Sequence, residues 1–165
     1  MAEGGAGTPA SAGAVFRGVT QLALDTKGRL AIPAKHRAAL AGGSDNVDRT
    51  LIVTADPSCC LLVYPIATWE PIQARLMALS SFNEEIRALQ RLLVGHADEV
   101  DMDGTGRVLV PPALRKFAGL DHHVVLVGQG NKFELWDDAK WNEQTALAIK
   151  FPAGGLPPEL DGFSL

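Results

Sequence analysis

Asp25 and Arg29 stand four residues apart across Thr26-Lys27-Gly28, and Asp103 and Arg107 stand four apart across Gly104-Thr105-Gly106. An aspartate at the start of a turn can accept the backbone N–H two residues on, and a glycine near its end takes positive φ without steric cost. The arginine then leaves the turn at a fixed angle, oriented by the carboxylate and aimed at an anion. A plainer reading stays open: each pair is a surface brace contributing about 0–1 kcal/mol. The same spacing occurring twice favours presentation of Arg29 and Arg107 to a ligand, with Asp25 and Asp103 holding the loops.

Other chemistries fit less well. Asp101-x-Asp103-x-Thr105-Gly106 opens like a calcium loop, but Pro112 stands where a bidentate glutamate is required. Gly104-x-Gly106 lacks the third glycine of a dinucleotide site. Cys59 and Cys60 are adjacent, without metal-ligand spacing, and are expected to be buried thiols. His96 is expected to be a hydrogen-bonded structural residue, and His122-His123 to lie in a loop before a strand. No hydroxyl or thiol stands near a credible base in sequence. The expectation is a non-enzyme that needs no metal and no cofactor.

The elements around the two turns repeat as well. Asp25, Arg29, Pro33 and Arg37 recur as Asp103, Arg107, Pro111 and Arg115, all offset by 78 (103 − 25). Tyr64 and Trp69 recur as Trp136 and Trp141, offset by 72 (136 − 64). Such duplication sets the whole fold. Leu22 and Leu24 before the first turn, and Leu30 and Ile32 after it, alternate as in half-buried strands. Pro33 suits the first position of a short helix, with Gly42-Gly43 as its left-handed cap. Leu51-Ile52-Val53 and Leu61-Leu62-Val63-Tyr64 predict a hairpin, matched by Val124-Val125-Leu126-Val127 and Phe133-Glu134-Leu135-Trp136. The polar stretch 44–50 is the expected site of the six-residue difference between the two offsets. Trp69, Ile72, Leu76 and Leu79, and Ile86, Leu89 and Leu93, form helical stripes that pack in the core or face neighbouring subunits. A last helix is expected to end near Ile149.

Bulk charge does not advertise a nucleic-acid partner: the formal net charge of the 165 residues is −4. Local charge does. Residues 15–37 hold Arg17, Lys27, Arg29, Lys35 and Arg37 against Asp25 alone, and 103–116 hold Arg107, Arg115 and Lys116 against Asp103. No window approaches the roughly 18 apolar residues of a membrane span. Residues 1–14 lack the basic and apolar regions of a secretory signal and are expected to be a disordered tail; 151–165 are expected to be a flexible one.

The repeated Asp-x-x-x-Arg resembles the MraZ family of bacterial transcriptional regulators, within the wider AbrB-like swapped-hairpin group. Phe16-Arg17-Gly18, Arg91-Leu92-Leu93-Val94-Gly95-His96-Ala97, Val127-Gly128-Gln129 and Asn131-Lys132-Phe133-Glu134-Leu135-Trp136 carry the likeness further, from Val15 to Ile149. Val15 stands where that pattern usually begins with Met, so an alternative start there is expected. The resemblance implies a mainly β fold with short helices, a double-split β-barrel built from two intertwined AbrB-like ββαββα repeats. The divisions are 15–79, a first repeat with a connecting helix, and 80–150, a second with a leading helix. It further implies a cytoplasmic, nucleoid-associated homo-oligomer, a ring, that binds double-stranded DNA at direct repeats upstream of the division and cell-wall gene cluster. Asp25, Arg29, Asp103 and Arg107 carry over as DNA-binding residues; Lys27, Arg37 and Arg17 join them on charge alone. Two rivals remain: an antitoxin-like protein that binds a toxin, and a purely oligomeric scaffold.

Overall fold

Alternating apolar residues need a surface to lie against, and here each half of the chain supplies it for the other. The computed structural model describes residues 15–41, 49–149 and 157–164. In the first half, β1 (Val19–Ala23), β2 (Arg29–Ala31), α1 (Ala34–Leu40), β3 (Thr50–Ala55), β4 (Leu61–Pro65) and α2 (Ile66–Met77) follow one another. After α3 (Glu84–Leu93) the order recurs as β5 (Asp98–Asp101), β6 (Arg107–Leu109), α4 (Pro112–Ala118), β7 (His123–Gly128), β8 (Phe133–Asp137) and α5 (Asp138–Ile149). Among the described residues, a 3-10 turn, Pro158–Leu160, lies in the expected C-terminal tail. The expected tail 1–14, the Gly42-Gly43 cap and most of the polar loop 44–50 lie outside the described residues. No described helix is long and apolar enough to cross a membrane.

Six strands form one sheet in the order β1-β7-β8-β4-β3-β5, and β2 and β6 form a separate antiparallel ribbon. β1 of the first half pairs with β7 of the second, while β5 of the second pairs with β3 of the first. The halves are therefore intertwined. The sheet is not closed into a barrel, because β1 and β5 are its two edges. The physical reason lies in the turns. β1 stays on the sheet, whereas β2 leaves it after the Gly28 turn to pair with β6, interrupting the ladder.

Register refines the repeat. Leu51 pairs with Val100 as Val124 pairs with Leu22, which sets the β3-to-β7 offset at 73 (124 − 51). Leu61 pairs with Leu135 and Val63 with Phe133, so the β4-to-β8 offset is 72 (133 − 61). Relative to the first half, the second is thus five residues shorter before β7 and one shorter in the turn between β7 and β8, so the difference does not lie wholly at the polar loop.

Side chains alternate across the sheet as strand geometry requires. Leu51, Val53, Leu61, Val63, Val124, Leu126, Phe133 and Leu135 face inward with the buried ribbon residues Leu30 and Val108. On the outer face Ile52, Leu62 and Tyr64 pack against Trp69 of α2, and Val125, Val127 and Trp136 against Trp141. Both helical stripes are core only in part: Leu79 of the first lies beyond the end of α2 and is exposed, and so is Leu89 of the second. The cysteine expectation needs correction too, since Cys60 is buried but Cys59 is exposed at the hairpin turn.

Candidate nucleic-acid interface

Each Asp-x-x-x-Arg turn is a three-residue hairpin loop closed by its own backbone. Gly28 N–H donates to Asp25 O at 3.0 Å and Asp25 N–H to Arg29 O at 3.0 Å; Gly106 and Asp103 repeat this at 3.0 and 2.8 Å. Gly28 and Gly106 take φ of 83° and 81°, the left-handed position such loops require. Pro33 and Pro111 cap α1 and α4, one residue earlier than the first helical position.

The carboxylates turn inward on their loops. Asp25 Oδ1 accepts the N–H groups of Lys27 and Arg29, both at 2.9 Å, and Oδ2 accepts Arg29 Nε–H at 2.6 Å. Asp103 accepts the N–H groups of Thr105 and Arg107 at 2.9 Å and Arg107 Nε–H at 3.2 Å. Thr105 adds a second tether: its hydroxyl donates to Asp103 at 2.8 Å and accepts from Arg107 Nε at 3.0 Å. The Arg29 backbone N–H, above all, holds the Asp25 carboxyl below the usual range, aided by the Arg29 side chain and the Lys27 N–H. For Asp103 the Arg107 N–H and then the Thr105 hydroxyl do the same. Both carboxylates are ionised at neutral pH, with both oxygens of each engaged inside its own loop.

Both arginines are tethered through Nε. Among the described residues, no hydrogen bond uses the terminal Nη groups of Arg29 or Arg107. These half-exposed pairs add little stability by themselves. Their effect is orientation: each guanidinium presents a planar pair of donors matched to phosphate or to the O6/N7 edge of guanine.

The ribbon puts both on one surface. In the β2/β6 register Arg29 faces Leu109, Leu30 faces Val108, and Ala31 faces Arg107. Leu30 and Val108 point into the core, so Arg29, Ala31, Arg107 and Leu109 share the outward face. Arg29 and Arg107 are diagonal neighbours, about 7–8 Å apart in a regular ladder.

The remaining sequence candidates separate. Lys27 is exposed at the tip of the first turn. Arg17 is exposed but lies beyond the opposite end of β1 from that turn. Arg37 is half-buried, with Nε donating to Ile32 O at 2.8 Å. Its guanidinium lies over Gly106, in the turn of the other half, rather than beside Arg29. Arg49 escaped sequence reasoning. Its backbone O accepts Met102 N–H at 2.9 Å and its Nη1 donates to Asp103 O at 3.3 Å, so it brings a cation to the turn that carries Thr105 in place of Lys27. Its partner by the 73-residue offset is His122, whose carbonyl accepts Leu24 N–H at 2.8 Å beside the first turn. That equivalence appears only once the register is known.

Two crossed hairpins that pair β2 with β6 and turn two oriented arginines to one face define a mainly β module of intertwined repeats. The family described as "MraZ protein, putative antitoxin-like" matches residues 15–92 and 93–153. The chain belongs to the MraZ family. It is 60% identical to the protein named "Transcriptional regulator MraZ" of Nitrosospira multiformis, over 92% of this chain and 100% of that protein. Proteins of the same name from Nitrosomonas eutropha and Thiobacillus denitrificans are 57% and 55% identical, with the same shares covered.

Proposed function

We propose that this chain is a DNA-binding transcriptional regulator that reads promoter DNA through the β2/β6 ribbon, with Arg29 and Arg107 as its principal contacts. The observation that carries this reading is the shared outward face, on which two arginines, oriented by Asp25 and Asp103, offer free Nη groups around Leu109. A major groove admits a two-stranded ribbon. Lys27 and Arg49 supply phosphate contacts at the two turns, while Asp25 and Asp103 shape the loops without meeting DNA. The names of the relatives support the regulatory role, and the carboxylates engaged inside their own loops support a binding rather than a catalytic one.

In this reading 15–79 and 80–150 are the two repeats, and the ribbon and the open sheet are the parts of a double-split barrel. The protein acts in the cytoplasm on the nucleoid, as a ring-like homo-oligomer on direct repeats upstream of the division and cell-wall gene cluster. One ribbon supplies few phosphate contacts, which the net charge of −4 makes marginal. Several ribbons on one ring raise avidity about 10²–10⁴-fold where the DNA repeats match their spacing.

The test is a mobility shift on DNA from upstream of the gene, comparing wild type with Arg29→Ala. A salt-sensitive shift, largely lost in the variant at the same protein concentration while light scattering shows the same oligomer, supports the reading. No wild-type shift at low salt removes it and returns the turns to braces; copurification of a small basic partner instead favours the antitoxin alternative.

A further inference from the structure

Arg37 and Arg115 are the two half-buried arginines of α1 and α4. Neither takes part in an ion pair; among the described residues those are Asp25–Arg29 and Asp103–Arg107. Each is anchored through Nε to a carbonyl where the ribbon strand meets its helix: Arg37 to Ile32 O at 2.8 Å, Arg115 to Val110 O at 3.0 Å. That anchor lays the guanidinium on a glycine of the other half. A Cβ built on Gly28 would stand 2.5 Å from Arg115 Cζ and 2.6 Å from its Nη1, and one on Gly106 would overlap the Arg37 guanidinium. The backbone crosses in the same sense, with Val110 N–H donating to Gly28 O at 3.0 Å and Ile32 N–H to Gly106 O at 2.9 Å.

We propose that Arg115 and Arg37 are positioning residues that act across the two halves, Arg115 fixing the Asp25–Arg29 turn and Arg37 the Asp103–Arg107 turn in the shape that meets DNA. This rests on the ribbon reading above. Each loop carries its arginine immediately after the glycine, so displacement of Gly28 or Gly106 re-aims Arg29 or Arg107. The guanidinium is suited to the task because one plane both donates to the carbonyl and covers the flat glycine. A lysine carries its charge as a point and cannot do both. The close approach also explains why these loops require glycine for space as well as for φ. Arg115 additionally borders an open cleft of about 270 Å³ with Asp25, Thr26 and His122, so a direct phosphate contact is the rival role.

Two measurements on the full chain decide. Hydrogen exchange of the DNA-free protein, read by mass spectrometry, is expected to quicken in peptides covering 25–30 for Arg115→Leu, and in those covering 103–108 for Arg37→Leu. Arg115→Lys, which keeps the charge, is expected to behave as Arg115→Leu. On promoter DNA, Arg115→Leu is expected to weaken binding about tenfold, within the range of one lost bidentate contact. That loss should vanish in an Arg29→Ala background and persist in full in an Arg107→Ala background. Faster exchange in the turn of the same half, equal change in both turns, or no change overturns the proposal. So does a loss that persists with Arg29 gone and lowers the salt slope by about one, the mark of a phosphate contact. Absence of wild-type DNA binding would end the regulator reading, and the exchange pattern alone would still decide whether the halves lock each other's turns.

Discussion

Arg29 and Arg107 lie diagonally across the β2/β6 ribbon, brought onto one face by the pairing of Leu30 with Val108 between them. That central pair is buried, and Leu30→Ala would cost about 2–5 kcal/mol and loosen the seat of the whole ribbon, with a smaller loss for Val108→Ala. In the proposed reading the two arginines therefore address a single stretch of DNA. Arg29→Ala and Arg107→Ala are each expected to weaken promoter binding by about 1–3 kcal/mol. Each should lower the slope of log K against log salt by about one where the contact is to phosphate. Binding isotherms across a salt series check this; full affinity in the double variant would remove the ribbon as the interface.

Leu109 is half-exposed beside Arg29, where its counterpart in the other strand is Ala31. An apolar side chain between two arginines suits a thymine methyl. Leu109→Ala is expected to leave the salt slope unchanged and reduce discrimination between promoter and random DNA. Competition titrations measure it, and an equal loss on both DNAs would assign Leu109 to packing instead.

The turns were legible because their chemistry is local: Asp25, Gly28 and Arg29 fix a hairpin loop within five residues, and a second copy doubles the signal. Continuous β-prone runs separated by turn residues likewise marked β3, β4, β7 and β8. Pairing across halves was not legible. Leu30 opposite Val108, or Arg37 over Gly106, depends on long-range register that neighbouring residues do not encode. Charge alone grouped Arg37 with the first turn, and overlooked Arg49, which immediately precedes β3 and is carried to the second turn by the pairing of β3 with β5. The open sheet follows from the same cause, since two strands leave the ladder at the glycine turns to pair with each other.

His36 of α1 lies against Phe133 and Phe16, with ring centroids 4.8 and 6.1 Å away. Burial, and secondarily Lys35, pushes its pKa below the ordinary 6.5. The unfolded chain then binds the proton more readily, so the stability His36 contributes is full above about pH 6.5 and falls as pH drops toward its folded value. Glu134 acts oppositely, because burial raises its carboxyl and acidification relieves that cost. Asp25 and Asp103, held low, contribute stability that is present above the usual carboxylate range and lost only as pH falls through their lower folded values. Between pH 7.5 and 5 the wild type is expected to lose more Tm than His36→Gln. Parallel pH profiles for the two would remove His36 as the source.

Cys59 is the one non-glycine described residue with positive φ, 63°, in the turn where Asp56 Oδ2 accepts Ser58 N–H at 2.8 Å and Asp56 O accepts Cys59 N–H at 2.9 Å. A left-handed conformation costs an L-residue about 1–2 kcal/mol. Glycine removes that cost but adds chain entropy to the unfolded state. Cys59→Gly is therefore expected to stabilise the hairpin by about 0.5–1 kcal/mol, whereas Cys59→Val should destabilise it. The neighbouring Cys60 is buried, and desolvation, reinforced by the Glu134 carboxylate, raises its thiol pKa well above the usual range. Only the thiolate is nucleophilic, so Cys60 should resist alkylation until the chain unfolds, while exposed Cys59 is labelled in the native state. Mass spectrometry of native and denatured protein would show one adduct and then two. Two adducts in the native state would mean that the hairpin opens readily, and the gain from Cys59→Gly in denaturant titrations should then be absent.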